Sequence, residues 1–186
     1  ELYTKPTASL VIQPKFEVTV DDDFKNAELT VTYTEVKTNE PISDNKKRER
    51  LKKSQAIISD LLSHLSEYVA SPDAEQKSTI IGMFETDKND VEVSHMSKRG
   101  KEQIKTRSAK KYISRLKGEQ LTIKVDNYEI KDPNLDTIIY TISQDYQGKR
   151  YSDYTQKLIY LTYDSTKDTY VIHKIEVVPN STIISQ

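Results

Sequence analysis

A chain of 186 residues with 28 Lys and Arg against 29 Asp and Glu carries a formal net charge of −1, which excludes a polyanion mimic and a generally cationic nucleic-acid binder. Its apolar share of 35%, against roughly 45–50% in ordinary domains, supports one concentrated core rather than two. With no Cys it has neither disulfides, thiolate nucleophiles nor cysteine metal sites.

Residues 1–42 are rich in Thr, Val, Lys and Glu and punctuated by Pro6, Pro14 and Pro41. Phe16, Val18 and Val20 alternate with polar residues, as do Leu29, Val31 and Tyr33, with turn chemistry at Asp21, Asp22, Asp23 and Asn26 between them. This predicts a β-hairpin, either an extension of the main domain or the remnant of a preceding module. From Ser43 the period becomes helical: Leu51, Ile58, Leu62, Leu65 and Val69 form a stripe, Ser43 is a candidate N-cap, and one long amphipathic helix runs to Ala70. Ser71 and Pro72 open a second helix as N-cap and first helical residue, with Ile80, Ile81 and Phe84 on its buried side.

Val91 to Ser94 reads as a short strand, followed by a basic loop and a third helix at about 106–117, apolar at Tyr112, Ile113 and Leu116 and closed by Gly118 in a left-handed conformation. Four strands follow at about 119–130, 136–147, 151–164 and 168–178, joined by turns at Asp132-Pro133-Asn134, at 147–150 and at 164–167. The fold class is α+β: three helices packed on a curved antiparallel sheet, preceded by the N-terminal hairpin. The domains are 1–42 for the hairpin, 43–178 for the α+β domain and 179–186 for a tail.

Two helices, a short strand, a third helix and a long curved meander over 43–178 resemble the cone-shaped superfamily of nuclear-transport-factor-like and ketosteroid-isomerase-like proteins, also called cystatin-like. That resemblance implies a pocket at the open end of a cone. It says little about chemistry, because isomerases, dehydratases, secretion-machine subunits and transport factors share the fold.

His173 falls in the alternation row of Val171, Ile175 and Val177, which points it into the cone as a candidate base or orienting donor. Tyr140, Tyr154 and Tyr160 are candidate pocket hydroxyls beside it, and Asp126, Asp145 and Asp153 are the strand carboxylates available as partners. Most strand acids of this kind are solvated. The three histidines, His64, His95 and His173, have no paired ligand spacing, the run Asp21-Asp22-Asp23 lacks a calcium-loop pattern, and no Gly-rich phosphate loop is present, so no metal and no cofactor is expected.

Lys98, Arg99, Lys101, Lys105, Arg107, Lys110 and Lys111 form a candidate anion-binding segment that extends to Lys117 with Glu102 as its single acid. Aromatic residues interleaved for base stacking are missing except for Tyr112. Lys46, Lys47 and Arg48 make a second basic patch, at a helix N-terminus where cations are disfavoured. The expected function is a non-catalytic binding or assembly module with a protein partner, a small apolar ligand or a polyanion, without a membrane span. The alternative is a small isomerase or lyase using His173 and a strand carboxylate. The lack of Cys, the Tyr- and Thr-rich strands and the absence of an initiator Met point to a secreted or periplasmic bacterial protein.

Overall fold

The computed structural model describes residues 11–20, 27–36, 41–96, 101–116, 118, 120–147 and 152–178, without side chains for the first two segments or for 95, 96, 152 and 153. The chain divides into two compact units, Glu1–Pro41 and Ile42–Gln186. In the first, β1 (Val11–Val20) and β2 (Ala27–Val36) pair antiparallel, with Phe16 opposite Val31 and Val18 opposite Leu29. The apolar positions therefore share one face of the hairpin, which is what the alternation requires. The acidic turn between them lies outside the described residues.

The second unit begins with α1 (Asp44–Ala70), capped by Ser43, whose hydroxyl accepts from the Lys46 N–H. Ile58, Leu61, Leu65, Tyr68 and Val69 are buried along one stripe, so burial of that face and not helix propensity holds this polar sequence helical. The second helix starts later than expected. Asp73, not Ser71, caps α2 (Ala74–Gly82), its carboxylate accepting from the N–H groups of Glu75 and Gln76 at 2.8 and 2.9 Å. A carboxylate matches the partial positive charge of a helix N-terminus better than a hydroxyl does.

The basic segment folds differently from the expected loop and helix. After β3 (Asp90–Met96) the chain turns back as β4 (Glu102–Ser108), and the third helix, α3, is only Ala109–Ile113, capped by Ser108. Residues 106–108 are thus strand rather than helix. β4 is an edge strand with Ile104 as its sole large apolar side chain, and that residue is exposed, so its backbone ladder leaves no apolar period to read. Tyr112, Ile113 and Leu116 are buried as expected.

The meander consists of β5 (Gln120–Ile130), β6 (Thr137–Gln147), β7 (Ser152–Asp164) and β8 (Thr169–Val177), and the six-stranded sheet has the order β4-β3-β8-β7-β6-β5. It is curved and open. All its pairings are antiparallel except β3 with β8, which run parallel through Val91 and Ile175, so the sheet is mixed. Rows cross it on the helix-facing side: Ile130, Ile138, Leu161 and Ile172; then Tyr128, Tyr140, Ile159 and Ile175; then Val125, Ile142, Lys157 and Val177; then Ile123, Gln144 and Thr155. Ile138, Leu161, Ile172, Tyr140, Ile159, Ile175 and Ile142 of these rows form one buried cluster with the apolar residues of the three helices, while Ile130, Tyr128 and Val125 on the edge strand β5 are exposed.

Two bulges break the rows. Asp126 is the extra residue of β5, between the pairs Val125 with Ile142 and Asn127 with Thr141. His173 is the extra residue of β8, between Ile172, opposite Leu161, and Lys174, opposite Tyr160. Each bulge shifts the side-chain phase by one residue.

At the start of α1, the Arg50 guanidinium donates to the Asn134 carbonyl at 2.7 Å and to the Asp136 carboxylate at 2.5 Å, and stacks 3.7 Å from the centroid of Tyr163. Asp132 accepts from the N–H groups of Asn134, Asp136 and Thr137. The β5–β6 turn is therefore a pinned anchor for α1.

Candidate functional site

The bulge determines where His173 goes. Upstream of it the helix-facing residues of β8 are Tyr170 and Ile172, downstream they are Ile175 and Val177, and His173 itself is turned outward with its side chain 52% exposed. The expected interior position is therefore corrected. Strand alternation held on both sides of the bulge but not through it. The imidazole Nδ1 lies 2.8 Å from the Glu85 carboxylate, just after Phe84, which bridges in parallel to Ile172. This hydrogen bond, with a weaker one from Asn89, holds the Glu85 carboxyl below its ordinary range.

Around His173, a groove of about 250 Å³ is lined by Thr86, Lys88, Asn89, Asp90, His173 and Lys174. Its rim mixes cations and a carboxylate. Lys174 is already committed, donating to Glu176 at 2.5 Å and lying 4.2 Å from the centroid of the Tyr160 ring.

The three tyrosines separate. Tyr160 is on the outer face, donating to Glu176 at 2.5 Å, and that carboxylate with burial pushes its phenol up to about 12. Burial raises the Glu176 carboxyl, but the bonds from Lys174 and Tyr160 outweigh it and leave the carboxyl lowered. Tyr154 is exposed. Tyr140 alone enters the interior, where its hydroxyl shares a 2.8 Å hydrogen bond with Ser54 of α1 and desolvation raises its pKa.

Of the strand carboxylates, Asp126 accepts from Ser143 and Gln156, which lower its pKa, and Asp145 is exposed. Asp153 pairs by register with Tyr146. The described side chains of the helix-facing rows include no carboxylate and no imidazole.

Those rows contain polar groups that composition and motif did not single out. Gln144, Thr155 and Lys157 are all at least nine-tenths buried, and they are neighbours: Gln144 stands opposite Thr155, and Lys157 is two residues along β7 on the same face. A signal for Lys157 was available. It shares parity with Ile159 and Leu161, both fully buried.

In the basic segment, Lys101, Lys105, Lys110 and Lys111 are exposed and Arg107 is half-buried, while Lys98 and Arg99 lie outside the described residues. Lys110 reaches Asp87 at 3.8 Å. Among the described residues no three His, Cys, Asp or Glu side chains gather as a metal site, and no helix is long and apolar enough to cross a membrane.

No family model and no curated protein matches the chain. Solved structures do. A scytalone dehydratase, so described, from Novosphingobium aromaticivorans superposes with a TM-score of 0.55 at 10% identity, covering 77% of this chain and 93% of that one. An NTF2-like protein of unknown function from Shewanella baltica gives 0.46 at 11% identity over 70% of this chain and 97% of its own. SalBIII, an epoxide hydrolase/cyclase-like enzyme of pyran ring formation in salinomycin, gives 0.45 at 13% identity over 77% and 100%. The chain has the cone fold of the nuclear-transport-factor-like and ketosteroid-isomerase-like superfamily. At 10% identity the likeness to the dehydratase is one of fold alone.

Proposed function

We propose that this chain is a non-catalytic binding or assembly module built on the cone fold. The observation that carries this reading is the outward position of His173, held by Glu85 on the solvent side of the β8 bulge. An acid–base pair must be within hydrogen-bond reach of one substrate. His173 outside and Asp126 on the face of Ser143 and Gln156 do not converge on the interior that Tyr140 enters. Tyr140 is itself engaged by Ser54, which suits a structural role better than an oxyanion donor. The isomerase or lyase alternative loses its base.

A panel of small ketones, epoxides, carboxylic acids and hydroxylated aromatics tests the reading. Compounds retained by the protein are expected back chemically unchanged from wild type. Turnover that disappears in His173→Ala overturns it. We also propose export to the periplasm or medium, supported by the absence of Cys and the Tyr- and Thr-rich strands. Cell fractionation with an antibody to the intact chain checks this, and a cytoplasmic pool alone refutes it.

A further inference from the structure

Lys157 is 3% exposed in the middle of β7, under α3, with Ile142 and Val177 as its cross-strand neighbours. Its ammonium lies 5.2 Å from the centroid of the Tyr112 ring. Among the described residues, no carboxylate pairs with it and no acceptor takes its protons. Two residues away on the same face, Thr155 is fully buried, and its Oγ1 has no hydrogen-bond partner. Gln144, also buried, is directly opposite Thr155.

A lysine whose stem lies buried in an apolar row is unusual, and the Thr155 hydroxyl, buried without a partner, carries a desolvation cost. The Tyr112 face attracts the Lys157 ammonium but accepts none of its protons as a carboxylate would. Stability selects against such a pair, because Met at 157 and Val at 155 would fill the same volume without charge or hydroxyl. What the two side chains offer together is a set of donors, ammonium and hydroxyl, on one face of an apolar interior. That is the complement of a small anion.

We propose that the cone interior binds a small monocarboxylate, its oxygens taking hydrogen bonds from the Lys157 ammonium and the Thr155 hydroxyl beside the Gln144 amide. This rests on the binding-module reading and names its ligand class. The ligand neutralises Lys157 and is held without covalent change.

The test uses the whole chain with sodium butyrate as probe, and butanol and sodium chloride at matched concentration as controls. Butyrate is expected to raise the thermal midpoint saturably. In amide and side-chain NMR it should shift Thr155, Gln144 and Tyr112, with little effect from either control. Lys157→Met is expected to weaken butyrate by roughly tenfold or more, the loss of one charge-assisted hydrogen bond, and Thr155→Val by a smaller factor. Met at 157 keeps the buried stem and its volume without the unpaired charge, so this variant should melt no lower than wild type without ligand.

Butyrate acting no more strongly than chloride on wild type overturns the proposal. So do shifts confined to the cationic β4 surface, and so does undiminished binding by Lys157→Met. Should Lys157→Met fail to fold, the wild-type shift map and Thr155→Val decide the question. The broader reading fails differently. It falls if a panel compound is turned over and that turnover disappears in His173→Ala, whatever butyrate does, and stands if another compound is retained unchanged.

Discussion

The hydroxyls of Ser54 and Tyr140 share a hydrogen bond of 2.8 Å inside the core, joining the middle of α1 to the centre of β6 across 86 positions of sequence. Ser54 already donates to the Leu51 carbonyl at 2.8 Å. Its single proton is therefore used, and the Tyr140 O–H is the donor of the pair.

That assignment makes the two deletions unequal. Ser54→Ala leaves the buried Tyr140 hydroxyl without an acceptor and should cost about 1–3 kcal/mol, the penalty of an unsatisfied buried donor. Tyr140→Phe removes the donor with its proton, leaves Ser54 on Leu51, and should cost less, about 0.5–1.5 kcal/mol. Urea unfolding of the two variants checks the order. Equal losses would mean that the bond does not have this direction.

Gly118 was expected to end a helix in the left-handed region, but its backbone is not left-handed. The requirement is space. A Cβ there would meet the Gln147 carbonyl oxygen at 2.8 Å, the Tyr146 ring at 2.8 Å and Val69 at 2.9 Å. One of these neighbours is backbone and cannot swing away, so Gly118→Ala should destabilise by about 1–3 kcal/mol through overpacking. A left-handed glycine would instead lose its stability to any L-residue regardless of crowding. Adding Val69→Ala to Gly118→Ala relieves one of the three contacts and should recover part of the loss. No recovery would argue for backbone strain.

Much of the fold was legible because β5 opens on Leu121, Ile123 and Val125 and β8 closes on Ile175 and Val177 in alternation, and because α1 has an apolar stripe from Leu51 to Val69. The bulges were not. A bulge is one extra residue whose cause lies in the partner strand's register, and nothing in the composition of Asp126 or His173 announces it. β4 was hidden for another reason: an edge strand needs only backbone pairing on one side, and its Lys and Arg residues suit a helix equally well. Lys157 was overlooked because lysine is normally exposed, so its place in the apolar row of β7 went against the expectation from residue type.

Glu85 and His173 predict a pH dependence. The bond from His173 lowers the folded Glu85 carboxyl from its ordinary value of 4.5. A carboxyl more acidic folded than unfolded contributes its full stability above the unfolded value, and loses it as the pH falls through the folded one. The unfolding midpoint of wild type should therefore drop more steeply below about pH 4.5 than that of His173→Ala, in which Glu85 returns toward its ordinary value. Both side chains are about half exposed, so screening keeps the effect small. Parallel curves for the two proteins from pH 6 to pH 3 would remove the pairing as a source of stability.

Glu17, Asp21, Asp22, Asp23 and Glu28 make the N-terminal unit acidic, whereas the segment from Lys98 to Lys117 is almost purely cationic. Exposed ion pairs are each worth only about 0–1 kcal/mol and are screened over roughly 8–10 Å at physiological salt, yet several acting together compete with an external polyanion. A chain of residues 42–186 should fold on its own, because the whole buried cluster lies between Ile58 and Ile175 and the Ile42 N–H is fixed to the Asn134 side chain at 3.0 Å. If the acidic unit shields the cationic segment, this shorter chain should elute from heparin at higher salt than the intact one. Replacing Asp21, Asp22 and Asp23 together by Asn in the intact chain should recover part of that gain. Circular dichroism with heparin chromatography of the three proteins decides it. A shorter chain that does not fold makes the hairpin part of the domain's core. One that folds with unchanged heparin affinity reduces Lys105, Arg107 and their neighbours to a solvated edge, where their charge guards β4 against pairing with other strands.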